Sequence, residues 1–598
     1  METQLTLFDN INSLPCEVSN SDMRYYSKRS VKKSSKPNPI AMPQIKYSDE
    51  QQAIIDAFAH YNRIRINAYA GSGKTTTLLE IARNYPNENF LIVCFNKSIA
   101  DELQRKYSFY GLKNITAKTL HALAYHNLMR AKGGKVRVVN NADMIKRLHE
   151  QNISEDIRQV ITAYKVYESF CNSEHTEITF DTIKQIIRRN KRLYSSIVLS
   201  QVYSIIKEHE KRNLAYDFSE IHSKVLKEVV SDLTNLVQEI DSFIMSPYCD
   251  VITHAGYLKF MHRYVAKHHK IPGNYTAIMI DEAQDINGIM IDIIQNLEIP
   301  KKVAVGDKHQ SIYGWNDAIN ALAQLHDWQE FYLTTSFRFK NPEIVQLANN
   351  FLQNIKLESR LMRQAEKVKD LSGFAYITRS NAAIMEHIAK IEHPFKLTRS
   401  VDSIFEPLLM ADQIIKYYSK KEKMNDKVPE YIKKIIENCT TFDNFIETIK
   451  NVDVETYETL NRVYQMANRG IFVKQVYFKA MQMQDPESDY TITTAHTAKG
   501  LEYKEIELAN DFPTYNEVIS DFVNENGEKI GSVLPETFYI NIIEGHRDFA
   551  DIIDQINLQY VAITRASEIA KGEGLKTITD NFAKNLRDVI ELSLPQKD

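Results

Sequence analysis

Several things are scarce in this chain, and each shortage excludes a class of protein. Its five cysteines (Cys16, Cys94, Cys171, Cys249, Cys439) stand far apart with no C-x-x-C pair, which argues against a zinc ribbon, an iron–sulfur cluster or a disulfide framework. No run of about 18 apolar residues occurs and no charged-then-apolar leader is visible, so neither a membrane span nor a secretory signal is expected. Neither sign of charge dominates. With 74 basic and 77 acidic residues the formal net charge is −3, so any grip on nucleic acid must come from a local track and not from bulk attraction. Internal repeats and low-complexity tracts are also missing. What remains is an ordinary soluble composition, 43% hydrophobic and 25% charged. At 598 residues the chain is too long for one core, so several domains are expected, in a cytoplasmic setting.

Residues 1–46 carry Asn, Ser and Pro without apolar periodicity and gather Arg24, Lys28, Arg29, Lys32, Lys33 and Lys36. They read as a basic tail. From Tyr47 apolar strands alternate with helical patterns: residues 64–68, 91–95, 277–280 and 303–305, then 374–377 and a resumption at Tyr490. This alternation predicts α/β architecture with parallel sheets. Residues 122–250 and 406–474 are helical in pattern and read as insertions. The expected division is therefore a first α/β unit over 47–121 and 251–335 and a second over 336–405 and 475–598.

The most informative stretch is A-Y-A-G-S-G-K-T at residues 68–75, between an apolar strand and a helical pattern opening at Thr76. It predicts a phosphate-binding loop. Backbone N–H groups of Ala70, Gly71, Ser72, Gly73, Lys74, Thr75 and Thr76 would cradle a polyphosphate, Lys74 would face the β/γ-phosphates, and the Thr75 hydroxyl would ligate Mg²⁺. Residues 275–285 read Y-T-A-I-M-I-D-E-A-Q-D, a strand ending in acids. Alone, such a pair is usually a helix cap. Beside a phosphate loop, Asp281 is placed to hold Mg²⁺ and Glu282 to take a proton from attacking water. In G-D-K-H-Q-S-I-Y-G-W after the next strand, Gln310 is a candidate γ-phosphate sensor, and Tyr313 and Trp315 offer faces for stacking unpaired bases. Phosphoryl transfer also needs positive charge opposite the loop, for which Arg338 in L-T-T-S-F-R and Arg565 in Y-V-A-I-T-R-A are candidates.

Taken in order, these motifs resemble the UvrD/Rep family of superfamily 1 DNA helicases, and in wording its F-box DNA helicase branch. The resemblance runs from Tyr47 to about Ala566 and implies two RecA-like motor domains using ATP and Mg²⁺. It adds Gln51 in Y-S-D-E-Q as the adenine reader, and Glu502 in T-T-A-H-T-A-K-G-L-E as the acid reaching the ribose. For the DNA track it implies Phe95, Asn96 and Lys97 in F-N-K-S, His121, Tyr257 in H-A-G-Y-L-K, Tyr313, Trp315, Thr494 and His496. Asn316 and Asp317 depart from the family's Arg-Gly, the second insertion is short, residues 511–554 form a long acid-bearing spacer, and no F-box is evident. The expected activity is ATP-dependent 3′ to 5′ movement on single-stranded DNA with separation of duplex at single-strand/duplex junctions. Its alternatives are a translocase that strips bound proteins and an ATP-switched DNA sensor. Gln4, Leu5, Thr6, Leu7 and Phe8 resemble the peptide by which bacterial DNA-processing proteins dock on the sliding clamp. That would fit a nucleoid-associated protein with no membrane partner.

Overall fold

The computed structural model describes residues 46–94, 97–131, 136–189, 194–246, 248–313, 321–424, 428–437, 439–452, 454–519, 535–545 and 549–593. Phe95, Asn96, Trp315, the basic tail with Gln4 to Phe8, and residues 520–534 of the long spacer lie outside them.

Six strands build the first sheet: β1 (Arg63–Ala68), β2 (Phe90–Val93), β3 (Ile115–Lys118), β4 (Ala277–Ile280), β5 (Lys301–Gly306) and β6 (Gln329–Leu333). They run parallel in the order β3-β2-β4-β5-β1-β6. A parallel sheet is covered on both faces, so its inner strands are apolar throughout. β2 (F-L-I-V) and β4 (A-I-M-I) are buried at every position. Alternation then divides the residues between two cores: Phe90, Ile92, Ala277 and Met279 face one, Leu91, Val93, Ile278 and Ile280 the other.

The second sheet holds β7 (Phe374–Thr378), β8 (Lys396–Leu397), β9 (Tyr490–Thr494), β10 (Tyr503–Leu508) and β11 (Ala566–Lys571), again parallel, in the order β8-β9-β7-β10-β11. Its main core takes in Tyr69, Ala70, Ile312 and Tyr313 from the first sheet's loops, so the two units share an apolar seam.

The chain between β3 and β4 is helical, and its first core extends into Ile157–Asn172 and the long helix Phe218–Met245. In the latter Val225, Val229, Leu233, Val237, Ile240 and Ile244 form one buried stripe at helical spacing, and Asp217 caps the start by accepting from Ser219 and Glu220 N–H. A short parallel pair, Arg137–Val138 with Val251–Ile252, closes this excursion. Helices between β8 and β9 enclose a core of their own. In the described part of the long spacer, Asp511 accepts from Arg379 N, Ser380 N and Ser380 Oγ, tying the segment to the turn after β7.

Lys356, 5% exposed behind the seam, is the costly residue of this packing. Burial, then Lys308, pushes its ammonium down to about 7 from 10.5, with Glu358 and Asp554 opposing. The unfolded chain therefore binds more protons than the folded one between pH 7 and 10.5, and stability rises with pH across that window. Lys356→Met is expected to stabilise the protein at pH 7 by about 1–2 kcal/mol and to flatten that rise, as read from urea midpoints against pH.

Candidate functional site

In parallel sheets, ligands sit beyond the C-terminal strand ends. Most of the residues singled out in the sequence are found there. β1 feeds the loop 69–73, and the helix Lys74–Asn84 begins at Gly73 with no side chain capping it, leaving its first N–H groups to a ligand. Gly71 has φ +72°, and a Cβ there would fall 2.6 Å from both Arg338 Cβ and Ser336 Oγ. Glycine is required on both counts. Phe337 N donates to Gly71 O at 2.9 Å, so the loop rests directly on the segment carrying Arg338.

From the end of β4, Asp281 Oδ2 accepts from Thr75 Oγ1 at 2.9 Å, and Glu282 Oε1 lies 3.5 Å from Lys74 Nζ. Burial and then the adjacent Glu282 raise Asp281. Burial also pushes Glu282 up, but Lys74, Lys499, the Gln284 hydrogen bond and Arg565 together outweigh it and hold the carboxyl low. One acid is thus a buried oxygen ligand beside a hydroxyl, and the other an ionised carboxylate. That donor set fits a hard divalent cation sharing its remaining positions with phosphate and water. Among the described residues there is no cluster of three or more acid, His or Cys side chains able to hold a metal by itself.

After β5, Gln310 is buried and its Nε2 donates to Asp307 Oδ2 at 2.7 Å. Its Oε1 accepts from Arg565 Nη2 at 3.1 Å, a contact from the second sheet's last helix–strand turn. Burial, then Arg338, pushes Arg565 down to about 9, so it stays cationic at neutral pH. Arg338 donates to Glu502 Oε1 through Nε at 3.0 Å and Nη2 at 2.6 Å, and to Thr564 O through Nη1. Burial raises the Glu502 carboxyl, but Arg338 and Lys369 outweigh it and hold the acid low.

Other predicted residues are placed differently. Gln51 is buried, closing a capping box with Ser48 and donating to Thr77 Oγ1 at 3.2 Å, beside Gly73. Tyr257 is 3% exposed, its ring packed on His121, Tyr125 and His254. Tyr313 is 6% exposed beneath the Lys499 ammonium, 5.0 Å from its ring centroid. Both rings are thus occupied by core contacts, and little of the Tyr313 face from which stacking was expected is open to solvent. Thr494 is buried and caps Ala495–Ala498 by accepting from Thr497 N. His121 and His496 are half-buried; burial first, and neighbouring charge second, lowers them to about 3 and about 4, so both are neutral at physiological pH. Lys97 is exposed just beyond β2.

Sequence reasoning overlooked Asp285, Asp307 and Lys499 as members of the site. Lys499, from the turn after β9, crosses to the first sheet and meets both Asp285 oxygens at 2.5 Å as well as Gln310 O. The pair is almost wholly buried, at 7% and 2% side-chain exposure. A cation three residues before Glu502, in K-G-L-E, was the available signal.

Residues 47–327 match the UvrD/REP helicase N-terminal domain family. The chain is 26% identical to F-box DNA helicase 1 of Gallus gallus over 565 residues, 88% of this chain and 49% of that protein. It is 24% identical to F-box DNA helicase protein 1 of Schizosaccharomyces pombe over 566 residues, 89% of this chain and 58% of that one. The chain thus spans about half the length of the curated relatives it matches.

Breaking a buried pair from one side leaves an uncompensated charge, at about 3–5 kcal/mol. Lys499→Met should lower the unfolding midpoint accordingly. Adding Asp285→Leu should recover most of the loss, so a double variant no more stable than the single would contradict the assignment.

Proposed function

We propose that this chain, whose residues 47–327 match the UvrD/REP helicase N-terminal domain family, is an ATP-dependent DNA helicase that moves 3′ to 5′ on single-stranded DNA and separates duplex ahead of it. The observation that carries the reading is convergence: the phosphate loop, two acids and Gln310 come from one sheet, and Arg565 and Lys499 reach them from the other. We read the two sheets as RecA-like motor domains, over 47–121 with 251–335 and 336–405 with 475–598, and the helical stretches 122–250 and 406–474 as insertions.

In this reading the backbone N–H groups of residues 70–76 cradle the triphosphate, and Lys74 neutralises its β/γ-oxygens. Gln51, next to Gly73, takes the base edge and Glu502 the ribose. Thr75 and Asp281 would hold Mg²⁺, which when bound supplies positive charge to the phosphate oxygens. Glu282, kept ionised by its cationic neighbours, orients the attacking water and accepts its proton. Gln310 senses the γ-phosphate, and Arg338 and Arg565 offset charge that builds in the transition state.

A ligand touching both sheets favours the closed arrangement, and cleavage of its terminal phosphate weakens that preference. Alternate closing and opening advances the domains along a strand. Lys97, His121, Thr494 and His496, all near strand C-terminal ends, are described candidates for the track, with Phe95 and Asn96 next to Lys97 in sequence and Trp315 two residues after Tyr313. Opening one base-pair step costs about 1.4 kcal/mol of stacking on average, well within the reach of an ATP-driven cycle.

The test is ATP turnover with and without single-stranded DNA, together with strand displacement from a 3′-tailed fork. Wild type should show both activities. Lys74→Ala should lose at least about 100-fold of the turnover. Displacement of streptavidin from a tailed oligonucleotide without strand separation would move the conclusion to a translocase. DNA-stimulated turnover without either movement would leave only a switched sensor.

A further inference from the structure

Gln284 has no part in the roles above, yet its side chain is fully buried in the cleft. Its Nε2 donates to Glu282 Oε2 at 2.6 Å, its Oε1 accepts from Asp307 N at 3.0 Å, and its carbonyl accepts from Ser311 Oγ at 3.2 Å. These bonds fasten the acidic turn after β4 to both ends of the loop that carries Gln310. Only one amide orientation works, since the flipped form would set an oxygen against the Glu282 carboxylate and an NH₂ against the Asp307 N–H.

Packing points the same way. A Cβ on Gly306 would lie 2.3 Å from Gln284 Oε1 and 3.1 Å from the Ala283 and Gln284 backbone nitrogens. The last residue of β5 therefore has to be glycine for the amide to seat.

Glu282 itself needs such a restraint. It sits at φ +54° and ψ +46°, a conformation that non-glycine residues adopt at a cost and that persists only when its surroundings hold it. With Oε2 taken by Gln284, Oε1 is the oxygen left facing Lys74. The other charged or titratable groups bearing on this carboxylate are Asp281, Asp285, Tyr313, Lys499 and Arg565. None of them links it to the Gln310 loop through its own side chain in the way Gln284 does.

Resting on the ATPase reading above, we propose that Gln284 is a positioning residue for hydrolysis: its side-chain amide fixes the Glu282 carboxylate and the Gln310 loop to each other, so that the water-orienting acid and the phosphate-sensing glutamine keep one geometry. It touches neither water nor phosphate and acts through both partners.

The experiment is steady-state ATP turnover at saturating single-stranded DNA, with nucleotide affinity measured separately using a fluorescent ATP analogue. The proteins are wild type, Lys74→Ala, Gln284→Leu, Gly306→Ala, Gln310→Ala and the Gln284→Leu/Gln310→Ala double variant. Gln284→Leu should lower kcat by about 10- to 100-fold while KM and analogue affinity stay within about two-fold. Gly306→Ala, which displaces the amide from the opposite side, should act in the same direction. The double variant should be no more than about two-fold slower than Gln310→Ala, because both changes disable one unit.

Unchanged kcat in Gln284→Leu, loss of affinity in step with kcat, or multiplying effects in the double variant would each overturn the proposal while leaving the ATPase reading in place, provided wild type turns over and Lys74→Ala does not. A wild type with no DNA-stimulated turnover would remove both together.

Discussion

Everything in the cleft depends on a buried junction of charge: Lys499 and Arg565 leave the second sheet and end on the loop after β5 of the first. Desolvating such groups is expensive, and an apolar seam of equal area would hold the two sheets together more firmly. A charged seam has a different property. Its strength depends on the charge that lies next to it, so an anion entering between Lys74 and Arg565 changes the balance of attraction across the junction, whereas it would leave an apolar contact almost untouched. The apolar part, from Tyr69, Ala70, Ile312 and Tyr313, borders the polar one. Side-chain contacts of both kinds therefore meet around one short loop.

The segment joining the sheets is fixed at the same place. Glu50, in the first turn of the helix Asp49–His60, accepts from Thr334 N at 2.8 Å, Thr334 Oγ1 at 2.7 Å and Arg363 Nη2 at 2.8 Å. Two and four residues on, Ser336 and Arg338 crowd Gly71. The connector thus runs beneath the phosphate loop, and displacement of either is felt by the other at van der Waals range. Interiors this dense transmit small shifts because they have no slack to absorb them.

The architecture was legible where periodicity is strong. β1, β2, β4, β5, β7 and β9 coincide with stretches picked out in the sequence, and β2 and β4 are apolar at every position because inner strands of a parallel sheet are covered on both faces. The strands passed over sit nearer the sheet edges or alternate with polar residues: β3 reads I-T-A-K, β8 has two residues, and β10 reads Y-K-E-I-E-L. Half-exposed strands carry a weaker signal. At the site, residues whose motif fixes backbone geometry were readable, as at residues 68–75, where the required turn permits few alternatives. Gln284, Asp307 and Lys499 were not, because what joins them to the site is long-range, Asp307 N to Gln284 Oε1 and Lys499 Nζ to Asp285 and Gln310 O, and spacing along the sequence carries no record of that.

Tyr313 and Gln51 each make structural contacts that residue type alone does not announce. An aromatic after a polar signature suggests a stacking platform, yet Tyr313 lies under an ammonium that is already bound to a carboxylate, where its ring face offers a favourable surface to the buried cation. Exposing that ring to a base would uncover Lys499. Gln51 carries two constraints at once. The string S-D-E-Q is a capping box, with Ser48 Oγ accepting from Gln51 N and Gln51 Oε1 accepting from Ser48 N, while its Nε2 reaches Thr77. Each amide group retains one unused position, a proton on Nε2 and a lone pair on Oε1. The cap that starts the helix therefore also holds the amide beside Gly73 in a fixed orientation.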